Sequence, residues 1–273
     1  MKINTRIPVV SGYFYPSNRK ELEKMLTAFF EKAKIEVKER ENAIGIVAPH
    51  AGYIYSGLTA AYSYASLPKN PKKTIVIIGP NHTGYGSEVS VYPNGKWKTP
   101  LGEVEVDEEF VDELIKNCKP AEKDEAAHIY EHSIEVQLPF LQFLYGNSFK
   151  IVPICLMNQS LEVVECLANA LIKTKKEFLL VASSDLNHYE SYEITQRKDM
   201  ELIKAIISLD LKKFYQTLEK LNVSACGYGA IATLVSLTKK LDGKIELLRH
   251  STSAEINRDY SNVVGYGALV AYY

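Results

Sequence analysis

Apolar and polar positions along the chain alternate between two textures. Short, near-continuous apolar runs are rich in β-branched residues: AIGIVAP (43–49), KTIVIIGP (73–80), FKIVPICL (149–156), EFLLVASS (177–184), KIELLRH (244–250) and VVGYGALVAYY (263–273). Runs of this kind predict strands covered on both faces, as in a mostly parallel sheet. Longer amphipathic stretches between them predict helices over about 18–37, 56–66, 107–117, 131–145, 159–173, 193–208 and 226–240. Asp107 and Ser160 stand where N-caps belong, each just ahead of an apolar period. Strand and helix in alternation give an α/β fold, a single-domain α/β/α sandwich over residues 1–273. Residues 89–107 carry Asn94-Gly95 between short alternating runs and predict a hairpin excursion from the main sheet.

Composition narrows the function classes. At 46% hydrophobic and 24% charged residues, the chain has the balance of a globular protein rather than a disordered one. A net charge of −1 offers no basic field, which argues against nucleic acid and against a polybasic membrane face. No apolar run approaches the roughly 20 residues of a membrane span, and the N-terminal stretch lacks a signal-peptide pattern, so a cytoplasmic location is expected. Cys118, Cys155, Cys166 and Cys226 show no CxxC spacing and are expected to be reduced thiols.

The polar residues that break the apolar runs collect at equivalent places. His50 follows one strand, His82 follows a second, and Asp185 with His188 follows a third in SSDLNHY (183–189). In an open parallel sheet the carboxyl ends of the strands share one edge, and ligands bind there. A lone loop histidine is commonly solvated or held by backbone, but three separate loops delivering histidine to one rim predict a shared site. EHSIE (131–135) places His132 and Glu135 three residues apart; on a helix they share a face, which suits either a base with a supporting carboxylate or simply an acidic first turn that complements the helix dipole. His128 reads as structural or solvated, and His250 as a competitor lacking a Gly-rich setting. Cys226, at the expected start of a helix, is placed where the dipole favours thiolate over thiol; taken alone, it reads rather as a small buried residue at a tight helix start. GYGAIA (227–232) matches a dinucleotide fingerprint in letters only, since no strand leads into it.

Taken in order, SGYFYP (11–16), APHAGYIYSG (48–57), GPNHTGYG (79–86), TPLGEVEVD (99–107), EHSIEVQLPFL (131–141), SSDLNHY (183–189) and the ACG at 225–227 resemble the Memo family along almost the whole chain. The resemblance implies a fold like that of the class III extradiol ring-cleaving dioxygenases. It also implies one metal ion on His50, His82 and Cys226, with Asp185 and His188 lining the same pocket and His132 and Glu135 beside it. The family's N-terminal tryptophan is Phe14 here. Two imidazoles and a thiolate suit iron(II) or copper and also accept zinc. The expected activity is that of a metal-dependent oxidoreductase. The alternatives are a non-catalytic adaptor holding a peptide or a partner in the former dioxygenase pocket, and a zinc-type hydrolase; the ligand class, small molecule or peptide, is left open. Phe14, Tyr53, Tyr55 and Tyr85 are the aromatics expected to contact a ligand. The resemblance also implies association with a radical-SAM protein.

Overall fold

A computed structural model describes residues 4–70 and 72–273. The chain opens with β1 (Thr5–Arg6), α1 (Arg19–Glu36), β2 (Ala43–Ala48), α2 (Tyr53–Ala65) and β3 (Thr74–Pro80). Next come β4 (Val89–Val91), β5 (Lys96–Thr99), β6 (Gly102–Val106), α3 (Glu108–Asn117) and β7 (Ala121–Lys123). Two short 3₁₀ turns, at 126–128 and 135–137, lead into α4 (Leu138–Tyr145), β8 (Lys150–Leu156), α5 (Leu161–Lys173) and β9 (Phe178–Ser183). The last third holds β10 (His188–Glu190), α6 (Tyr192–Ile207), α7 (Leu211–Leu221), α8 (Tyr228–Lys240), β11 (Lys244–Thr252), α9 (Ala254–Asn257) and β12 (Val263–Tyr272).

The strands form one sheet in the order β1-β5-β6-β8-β3-β9-β2-β12-β10, with β11 also paired to β12. Its centre, β8-β3-β9-β2, is parallel throughout, and all seven residues of β3 are buried. That is why these segments read as unbroken apolar runs: helices cover both faces. α3, α5 and α8 pack together on one side, and α1, α2 and α4 pack on the other. Asp107 and Ser160 cap α3 and α5 through side-chain bonds to Phe110 N and Val163 N. Among the described residues, no helix is long and apolar enough to cross a membrane.

The flanks depart from expectation. β12 runs antiparallel to both β2 and β11; for β11 the reason is that only α9 and a short loop join it to β12, and a parallel return needs a longer crossover. Asn94-Gly95 does not make the hairpin turn; the hairpin joins β5 to β6 around Pro100–Leu101. Gly95 instead has φ +91°, and a Cβ there would collide with the Asn4 carbonyl, so this glycine admits β1 alongside β5. The helix expected over 131–145 begins later, with the 3₁₀ turn at Glu135 and Pro139 in the first turn of α4.

Cys118 and Cys166 are not free thiols. They form a disulfide between the end of α3 and the middle of α5, with Cα atoms 5.5 Å apart. Cys155 and Cys226 are the free cysteines. The expectation of reduced cysteines therefore fails for this pair, because tertiary packing brings together two helix positions 48 residues apart. Since the bridge closes a loop of that length, opening it with a Cys118→Ser, Cys166→Ser double variant is expected to lower unfolding free energy by about 2–4 kcal/mol. Denaturant titration of wild type and variant measures it, and equal midpoints in non-reducing buffer refute it.

Candidate metal centre

The parallel registers of β3 on β9 and β9 on β2 bring three strand ends to one rim. His50 follows β2, His82 follows β3, and Asp185 follows β9. His132 enters from the loop between the two 3₁₀ turns, and Cys226 from the loop between α7 and α8. The Cys226–Gly227 turn lies directly on the end of β9, where a Cβ on Gly227 would collide with the Ser183 carbonyl.

One ligating atom from each of His50, His82 and His132 lies within 4.8 Å of the others. Their ring centroids are 4.7–5.4 Å apart. Cys226 joins through His50, its Sγ 3.1 Å from His50 Nε2. Of the expected ligands His50, His82 and Cys226, the structure thus adjoins all three to one cluster. It also makes His132 a member of the imidazole set rather than a base on a helix face. His132 precedes the helical turn, so His132 and Glu135 do not form the expected i, i+3 pair.

Hydrogen-bond logic fixes the His50 tautomer. Ser183 Oγ donates its single hydrogen to the Ser133 carbonyl at 2.6 Å and accepts from Gln137 Nε2 at 2.8 Å. It must therefore accept from His50 Nδ1, 2.8 Å away, which leaves the Nε2 lone pair facing Cys226. Burial, reinforced by the neighbouring His132 and His82, pushes His50 well below the ordinary imidazole pKa. Burial likewise lowers His132, against the pull of Glu131. Both are neutral at pH 7, the state a ligand needs. For His82, burial acts downward, but the Glu131 carboxylate outweighs it and raises the pKa.

Spacing does not single out Glu131, although it sits inside EHSIE. Its buried carboxylate accepts from His82 Nδ1 at 2.9 Å, His82 N at 2.6 Å, His132 N at 2.9 Å and Ser133 N at 2.8 Å. Burial pushes this carboxyl up, yet those donors prevail and hold it at about 2. Ser183 and Gln137 are equally hard to foresee, since any strand-end serine or helical glutamine looks alike in sequence.

The remaining expected residues divide. Asp185 is buried, and its Oδ1 accepts from the amides of His50 and Ala51 at 2.8 and 3.3 Å. Burial raises its pKa, with the His50 amide opposing. Its own amide points at Cys226 Sγ, 3.3 Å away. His188 donates from Nδ1 to the Ser224 carbonyl at 2.9 Å, leaving Nε2 as its basic nitrogen. Phe14 packs its ring 4.7 Å from His132. Tyr85 is exposed on its loop, and Tyr55 lies at the surface of α2. Tyr53, by contrast, is a core residue: buried between Tyr15 and Phe140, it donates to the Val136 carbonyl and cannot reach a ligand. Glu135 also turns away, for its oxygens take Arg6, the amides of Val9 and Val10, and the Tyr15 hydroxyl. His250 pairs with buried Asp199 at 2.8 Å instead of competing for the site. Cys226 precedes α8 as expected, but the thiolate bias does not follow. Burial, then the Asp185 carboxylate, raises the thiol pKa, more than offsetting the Asp185 amide.

A family model described as Memo-like protein matches residues 6–270. The chain belongs to the Memo family. A MEMO1 family protein of Thermoplasma volcanium is 48% identical over 267 residues, covering 97% of this chain and 98% of the relative. One from Saccharolobus solfataricus is 46% identical over 276 residues, with 96% and 97% covered. Another from Desulfurococcus amylolyticus is 46% identical over 279 residues, with 98% and 99% covered. The coverage extends across every loop that builds the centre of this Memo-family chain.

Proposed function

We propose that this Memo-family protein holds one redox-active metal ion, iron(II) or copper, at its imidazole cluster and acts as a metal-dependent oxidoreductase. The observation that carries the reading is the meeting of His50, His82 and His132 within 4.8 Å at the strand ends, with Cys226 Sγ adjoining His50. The residues fit such an ion. The His50 and His82 tautomers dictated by Ser183 and Glu131 leave Nε2 unprotonated on both rings, and a thiol adds a soft donor. A bound ion of this class supplies Lewis acidity and one-electron chemistry.

The chain's own contribution is orientation and proton handling. Ser183 and Glu131 hold the rings, and the Asp185 amide faces the Cys226 sulfur, ready to stabilise charge there. His188 offers Nε2 as a base, its other nitrogen being tied to Ser224. Phe14 packs against one side of the His132 ring. In this reading the strand-end placement is kin to the class III extradiol dioxygenase arrangement, with sulfur replacing a carboxylate.

Anaerobic reconstitution followed by elemental analysis tests the proposal. One equivalent of iron or copper per chain is expected in wild type. His82→Ala and Cys226→Ser are each expected to weaken binding by at least the ~10–100-fold that loss of a mere outer partner causes. Equal, weak binding by wild type and both variants overturns the metal reading and favours an adaptor. Selective retention of zinc favours the hydrolase.

A further inference from the structure

We propose that Glu131 is the positioning residue of this centre, a single carboxylate that sets the tautomer of His82 and ties the His82 and His132 loops into one ligand array. The inference rests on the metal-binding reading above and assigns a role within it.

A carboxylate accepts hydrogen bonds and donates none. His82 Nδ1, 2.9 Å from Glu131 Oε1, therefore carries the hydrogen, and the lone pair is left on Nε2. The same oxygen accepts the amides of His132 and Ser133 and lies 3.4 Å from His132 Nδ1. Oε2 takes the amide of His82. Two segments 49 residues apart in sequence are thus joined through one side chain. Outer carboxylates on ligating histidines act in this way, fixing ring orientation and raising ligand basicity.

The charge balance points in the same direction. Among the described residues, no lysine or arginine pairs with this buried carboxylate. Arg6 comes close but bonds the Glu131 carbonyl and the Glu135 carboxylate instead. Imidazole and amide donors alone face the negative charge, which complements a cation placed beyond the rings. A residue serving only to staple loops needs no such charge, since a neutral amide oxygen also accepts from backbone.

The test pairs nitrogen-15 NMR of the histidines with zinc titration against a chromophoric chelator. At pH ~9, where free imidazole is neutral, metal-free wild type is expected to carry the His82 hydrogen on Nδ1. Glu131→Gln is expected to give a tautomer mixture at His82 and a ~10–100-fold loss of zinc affinity, with Glu131→Asp recovering part of both. A wild-type His82 protonated on Nε2 overturns the proposal without need of any variant. So does a folded Glu131→Gln protein with unchanged tautomer and unchanged affinity. If wild type binds no metal while Glu131→Gln still shifts the tautomer, the positioning role stands and the metal reading alone fails.

Discussion

Acidification is expected to remove about 4–5 kcal/mol of folding stability through one histidine outside the imidazole cluster. His128 is fully buried between Tyr92 and Trp97, its Nε2 donating to the Ser90 carbonyl at 3.2 Å. Burial, then the Arg6 guanidinium, depresses its pKa to about 3, against an ordinary value of 6.5. The folded state therefore refuses a proton that the unfolded chain accepts. Stability is complete above the unfolded value and declines as pH falls from 6.5 toward 3. Denaturant titrations across this window measure the slope. His128→Gln, which keeps a donor for Ser90 and cannot ionise, is expected to flatten it. The attribution fails if the variant loses stability with pH as steeply as wild type.

Replacing Glu135 with alanine is expected to cost about 3–5 kcal/mol of stability, because it strands a buried guanidinium. Arg6 Nη1 meets Glu135 Oε2 at 2.7 Å with both side chains out of solvent. The same carboxylate accepts the amides of Val9 and Val10 and the Tyr15 hydroxyl, so three further donors lose their partner. An Arg6→Met, Glu135→Leu double variant removes both charges and is expected to recover part of the loss. Unfolding titrations of the three proteins read this out. Metal affinity of the folded Glu135→Ala protein is expected to change far less than that of Glu131→Gln, which separates the two carboxylates of EHSIE by role. Equal stability in wild type and Glu135→Ala removes the argument.

That separation marks what the sequence can and cannot carry. β2, β3, β8 and β9 are legible because each is buried on both faces, and their β-branched runs have no other use. Strand-end positions of His50, His82 and Asp185 follow from that pattern alone. The role of Glu131 against Glu135 does not, since both follow the same loop and differ only in which way the backbone turns before Pro139. Tyr53 looks like a pocket aromatic beside His50, yet the first turn of α2 swings it into the core. The α7 helix is absent from the expected set although Leu211, Phe214, Tyr215, Leu218 and Leu221 keep helical spacing; Phe214 alone is fully buried and the other four pack partly buried against the core. Its N-cap Asp210 and left-handed Asn222 are the local signals it leaves. Pairing of Cys118 with Cys166 depends on how α3 and α5 meet, which no spacing rule encodes.

The contacts of β1 and the segment after it set an order for biosynthesis. Tyr15 is made 120 residues before the glutamate that receives its hydroxyl, and Arg6 129 residues before. At ~5–20 residues per second, a ribosome takes ~6–24 s to supply that partner after Tyr15. During this interval the nascent segment bearing Phe14 has no Glu135 to close upon. Cys226 emerges later still, so the cluster is completed only after most of the chain has been translated.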